Sequence, residues 1–144
     1  MSLQEGRVAS MQGFEWNDEL LVGIDLIDQQ HREYFARVNQ LLAACQAGDA
    51  ERIQDTFNFL RDYVVFHFDA EQQVMQYHAY PDMEAHVEQH EYFGLECDGL
   101  GAEIADKPEN PELGDLASNL LVDWFVNHIR QVDRRLGKYL IPRL

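Results

Sequence analysis

At 144 residues the chain has room for one domain, and with 46% hydrophobic and 11% aromatic residues it can bury a core without disulfide staples. Asp plus Glu number 26 against 11 Lys plus Arg, a formal charge of -15, which makes nucleic acid and anionic membrane surfaces poor partners. Glu5, Arg7, Glu15, Asp18 and Glu19 break any signal-peptide core, no run approaches the roughly 18 apolar residues of a membrane span, and two isolated cysteines, Cys45 and Cys97, suit a reducing compartment, so a soluble cytoplasmic protein is expected.

Residues 1–22 precede the first periodic segment as an arm, and Phe14, Trp16, Leu20 and Leu21 predict that it docks on whatever follows. From 23 to 144 the chain carries apolar stripes at helical spacing. Ile24, Ile27, His31, Tyr34, Val38, Leu41 and Cys45 make the first, which stops at Gly48. Asp49 is placed to cap the second, whose stripe is Ile53, Phe57, Leu60, Val64, His67, Glu71, Val74 or Met75, and His78, ending before Pro81. Pro81 and the acids Asp82 and Glu84 open the third: Met83, His86, His90, Phe93, Cys97, Leu100 and Ile104. After a break at 106–114 that contains Pro108 and Pro111, Leu116, Leu120, Trp124, His128, Val132 and Leu136 form the fourth. Four amphipathic helices with short connections predict an all-α, up-down-up-down antiparallel four-helix bundle at 23–144.

Each stripe contains histidine where a core should be apolar. A lone histidine on such a face is ordinarily a satisfied core residue. Five of the six, His31, His67, His86, His90 and His128, lie on these faces, and helical backbone has no spare groups to pair so many imidazoles. A metal supplies the missing partner. His67 and Glu71, like His86 and His90, stand four apart and point the same way along a helix, so each pair can grip one site. Asp133, five residues after His128, falls about 140° round an α-helix, on the shoulder of the fourth stripe.

Five neutral imidazoles and two carboxylates exceed a closed zinc site. They suit two near-octahedral ions that share both carboxylates and one solvent oxygen, with three His on one ion and two on the other and one position left open. The i+4 and i+5 spacings differ from the Glu-x-x-His pattern of ferritin-like bundles, and Val87 after His86 excludes the His-Glu-x-x-His motif.

The elements G-I-D-L-I-D-Q-Q-H at 23–31, H-F-D-A-E at 67–71, Y-P-D-M-E-A-H-V-E-Q-H at 80–90 and H-I-R-Q-V-D at 128–133 resemble the bacterial hemerythrins, over about residues 14–140. The resemblance implies two non-haem irons bridged by two carboxylates and an oxo or hydroxo group. His86, His90 and His128 would hold one iron, His31 and His67 the other, and Glu71 and Asp133 would bridge. It implies reversible dioxygen binding at the His31 and His67 iron, for storage, delivery or sensing, and no enzymatic turnover. Ile27, Phe93, Trp124 and Ile129 are expected to wall the oxygen position, with Ile129 foremost because it adjoins His128. A di-iron enzyme acting on peroxide or nitric oxide, or a regulatory module with a protein partner, is the competing reading; a monomer or small oligomer is expected. Two residues depart from the family's usual pattern. Tyr34, one turn from His31, is expected to alter the pocket's polarity, and Gln72 is expected to touch no ligand. His78 is expected at the surface or in a loop, without a role.

Overall fold

A computed structural model describes residues 13–144 and shows four long helices in a bundle, with no strand among them; the first twelve residues of the arm lie outside the described residues. Helix α1 is Asp25–Ala47, α2 is Ala50–Tyr77 and α3 is Met83–Asp106. The fourth, α4, runs through 113–140 as a chain of α and π turns. Two-residue, five-residue and six-residue connections leave each helix no choice but to turn back along its predecessor. The turn from α1 to α2 is the tightest. Gly48 closes α1 at φ 68, a left-handed conformation that glycine adopts without strain, and the Asp49 side chain accepts from the Arg52 amide to start α2.

Residues 13–22 lie against the bundle. The Phe14 ring is 4.4 Å from that of Phe35, Leu20 and Val22 are buried, and Leu21 is exposed. Asp28, a buried acid in the first turn of α1, accepts from the Val22 and Gly23 amides at 2.7 and 3.1 Å and so fixes the angle at which this segment enters α1. On the other side Val22 sits so close to Gly137 of α4 that a Cβ there would lie 2.5 Å from the Val22 carbonyl oxygen. Only glycine admits that approach.

The fourth stripe departs from the sequence expectation. Leu116 is 42% exposed, and Leu120, Trp124 and Val132 are only half-buried. The buried row lies one residue further on, at Leu113, Ala117, Leu121, Phe125, Ile129 and Asp133. In an α-helix a strict step of four drifts about 40° per turn, so such a row cannot stay on one face. Two π-helical stretches, Asn119–Trp124 and Ile129–Asp133, widen the turn and remove the drift. No helix among the described residues is long and apolar enough to cross a membrane.

Candidate metal centre

The seven residues singled out as ligands converge in one buried cluster. His31 comes from α1, His67 and Glu71 from α2, His86 and His90 from α3, His128 and Asp133 from α4, and all are buried. Asp133 is 0% exposed, in the core and not on a shoulder. The π turn at Ile129–Asp133 explains this: i→i+5 bonding brings a residue five positions on beneath the first, which stacks Asp133 on His128.

Each carboxylate divides its oxygens between two groups of imidazoles. Glu71 Oε1 lies 2.7 Å from His86 Nε2 and 3.1 Å from His90 Nε2, while Oε2 lies 3.5 Å from His67 Nε2. Asp133 Oδ1 lies 3.1 and 3.2 Å from the Nε2 atoms of His86 and His128, while Oδ2 lies 3.1 Å from that of His31. Two potential metal-holding sets result: Glu71, His86, His90, His128 and Asp133, and His31, His67, Glu71 and Asp133. His78 stays out of both, half-buried at the end of α2.

Hydrogen bonds behind the imidazoles show what faces inward. His67 Nδ1 is 2.7 Å from Gln30 Oε1, and His128 Nδ1 is 2.9 Å from Gln89 Oε1. An amide oxygen only accepts, so each Nδ1 carries a proton, and the neutral form of each ring turns a bare Nε2 lone pair toward a carboxylate oxygen. Lone pair against lone pair is repulsive unless a cation lies between. The same atoms, His67 Nε2, His128 Nε2, Glu71 Oε2 and both Asp133 oxygens, are buried without a hydrogen-bond partner. The donor set therefore fits cations and is poorly satisfied by protein alone. Gln72, expected to touch no ligand, instead places its amide nitrogen 3.1 Å from His90 Nδ1. A half-turn of that amide gives His90 the arrangement of His67 and His128.

Protonation energetics point the same way. Burial lowers His67 to about 4, so it is neutral and ligand-ready, and burial lowers His90 as well. For His86, burial also pulls downward, but the close Asp133 carboxylate, the hydrogen bond with Glu71 and the charges of both carry it up to about 9. Burial pushes Glu71 and Asp133 up; the surrounding imidazoles outweigh it and hold both carboxylates below their ordinary range. Without a metal, a proton on His86 thus stands in for some of the missing positive charge.

Aromatic rings pack around the cluster. Phe68 stacks on His90 at 3.8 Å and Trp124 on His128 at 5.0 Å, with Phe93 stacked in turn on Trp124. Ile27 and Ile129 are buried. Phe125, which sequence reasoning passed over for its neighbour Trp124, meets His31, His67 and His128 at 5.8, 6.4 and 5.9 Å. Tyr34 stacks on Phe125 and donates its hydroxyl to the Leu121 carbonyl at 2.7 Å, inside the first π stretch. The Tyr34 hydroxyl is therefore committed to backbone.

Comparison with known proteins agrees with this geometry. Residues 22–140 match the family model described as the hemerythrin HHE cation binding domain. A bacteriohemerythrin of Methylococcus capsulatus is 32% identical over 124 residues, 85% of this chain and 92% of that protein. One from Stenotrophomonas maltophilia is 32% identical over 120 residues, 83% of this chain and 76% of its own. A crystal structure of wild-type hemerythrin, 30% identical, superposes with a TM-score of 0.79 over 87% of this chain and 95% of that one. With the family model covering most of its length and relatives of this identity spanning more than four-fifths of it, the chain belongs to the hemerythrin HHE cation-binding domain family.

Proposed function

We propose that the cluster holds two non-haem irons and that the protein binds dioxygen reversibly, for storage, delivery or sensing. The observation that carries the reading is the oxygen-by-oxygen division of Glu71 and Asp133 between a set of three imidazoles and a set of two. His86, His90 and His128 would serve one ion, His31 and His67 the other, and the two carboxylates would bridge. When bound, the iron pair supplies electrons that dioxygen takes up and gives back.

The protein's own residues do the rest. Gln30 and Gln89 hold His67 and His128 in the tautomer that offers Nε2, at no cost in net charge. Uncharged imidazoles with two carboxylates leave a small net charge around two divalent ions, which a closed core tolerates. Phe125, in ring contact with both His31 and His67, supports a dry oxygen position at the two-imidazole side, with buried Ile27 and Ile129 as further wall; Phe93 and Trp124 shield the three-imidazole side. Water exclusion favours release of dioxygen over its capture by protons. Both oxygens of each carboxylate are turned to imidazoles, so neither is left to shuttle protons to a substrate, which favours binding over turnover. Placement in the cytoplasm is part of the same proposal, supported by the two free thiols Cys45 and Cys97.

Oxygenation of the reduced protein followed by evacuation tests this reading. Recovery of the reduced spectrum with stoichiometric dioxygen released is the expected result. Steady dioxygen consumption in excess reductant would make the protein an oxidase and overturn it.

A further inference from the structure

A cavity of about 180 Å³ opens from solvent onto the three-imidazole side of the cluster, and its walls include Tyr80, Asp82, Ala85, His86, Gln89 and Arg135. Three features there are electropositive and unspent. First, α3 begins at this cavity without a side-chain cap: Asp82 makes no capping hydrogen bond, and the amides of Glu84 and Ala85 have no acceptor among the described residues. The start of a 24-residue helix thus presents free N–H groups and the positive end of its dipole. Second, Arg135 has no hydrogen bond or ion pair among the described residues, although its charge acts on the Tyr80 hydroxyl across the cavity. Third, His86 is 2% exposed and its Nδ1 has no partner.

His86 differs here from its fellows. Nδ1 of His67, His90 and His128 each has a glutamine, and Nδ1 of His31 and of His86 has no partner; of these last two, His86 lines the cavity. Its Nε2 is turned to Glu71 and Asp133, so Nδ1 is the polar atom it has left to offer. With Nε2 on a metal, as proposed above and as this inference requires, Nδ1 carries a proton and needs an acceptor.

We propose that this cavity is a binding site for one small carboxylate or oxyanion, held between the Arg135 guanidinium and the free amides at the start of α3, with its inner oxygen toward His86 Nδ1. Helix N-termini and guanidinium groups both favour such anions. At roughly 30 Å³ per water, the volume suits a molecule of formate or nitrate size with a few waters. The net charge of -15 opposes anions at long range, but physiological salt screens that field beyond about 8 Å, whereas the three donors act in contact. Asp82 is the local opponent and would keep the site weak and selective for small anions. An anion there makes His86 a stronger donor to its ion and adds negative charge beside it, so both effects lower the reduction potential of the centre.

Formate is the probe. Calorimetric titration of the iron-loaded protein at constant ionic strength should give one saturable site per chain. Arg135→Met should weaken binding about tenfold or more, and Asp82→Asn should tighten it about two- to fivefold. Arg130→Met, whose parent residue pairs with Glu19 away from the cavity, should leave it unchanged. The midpoint potential should fall with formate in the parent protein and stay put in Arg135→Met. Absence of saturable binding, or equal binding by the parent and Arg135→Met, would overturn the proposal. Iron content measured alongside separates the two readings: a chain that carries iron and ignores formate refutes this site alone, whereas one that takes up no iron refutes the metal reading on which it rests.

Discussion

The two ends of the bundle are built on opposite principles. At one end, Val38, Leu41, Leu42, Ile53, Phe57, Leu60, Leu100, Ile104, Leu113 and Ala117 make a core with no ionisable side chain. Packing there is close enough that a Cβ on Gly101 would lie 2.8 Å from the Phe57 ring. At the other end, five imidazoles and two carboxylates occupy the same interior positions, one helical repeat after another. Burial stabilises the first end directly. In the second, burial works against every charged group, and the fold is offset only by what the cluster binds. One bundle thus divides its helices between a half that holds the structure and a half that the structure holds.

Metal removal should separate the halves most sharply. The metal-free protein is expected to lose several kcal/mol of stability, with faster amide hydrogen exchange around 27–35, 67–75, 86–93 and 125–136 and retained protection around 41–44, 53–60 and 113–117. Uniform exchange in both halves would refute the division. Next in size, Phe57→Ala should cost about 3–5 kcal/mol in chemical denaturation and leave metal content untouched, since it opens a cavity in the apolar half only. The reverse pattern belongs to Gln89→Ala: the fold should persist while metal affinity falls roughly 10–100-fold, because His128 loses the acceptor that fixes its tautomer.

The smallest effect is a pH dependence confined to the cluster in the metal-free protein. His67, lowered from 6.5 to about 4, stabilises fully above 6.5, and that contribution is lost as pH falls toward 4, because the unfolded chain takes up the proton first. His86, raised from 6.5 to about 9, contributes fully below 6.5 and loses its contribution as pH rises through 9. Denaturation across this range should give maximum stability between the two flanks, near neutrality. Loading metal at neutral pH should release at least one proton per chain, that of His86, into a weakly buffered solution. Metal uptake with no proton released would contradict the assignment of that charge.

The sequence made the helices and all seven cluster residues legible: six because polar residues recurring at three or four stand out against an apolar stripe, and Asp133, five after His128, as the second carboxylate that the resemblance implies. His67 with Glu71 and His86 with His90 could hardly point elsewhere. What it hid depends on backbone detail or on contacts between helices. Nothing in H-I-R-Q-V-D announces that the turn is π-helical, and with α geometry assumed, both Asp133 and the buried row of α4 fall on the wrong face. Gln30, Gln72 and Gln89 each reach a histidine on another helix. Their one sequence signal was adjacency to a cluster residue: Gln30 beside His31, Gln72 beside Glu71, Gln89 beside His90. Phe125 was overlooked for the reason that Asp133 was put on the wrong face, since the π turn at Asn119–Trp124 rotates Phe125, and not Trp124, into the core.

Anaerobic titration of the metal-free protein with ferrous ion tests the central claim most directly, because it counts what the two sets of imidazoles and their shared carboxylates can hold. Two irons per chain, with Glu71→Ala unable to retain the pair, is the predicted endpoint. A single ion per chain, or full loading of Glu71→Ala, would contradict it.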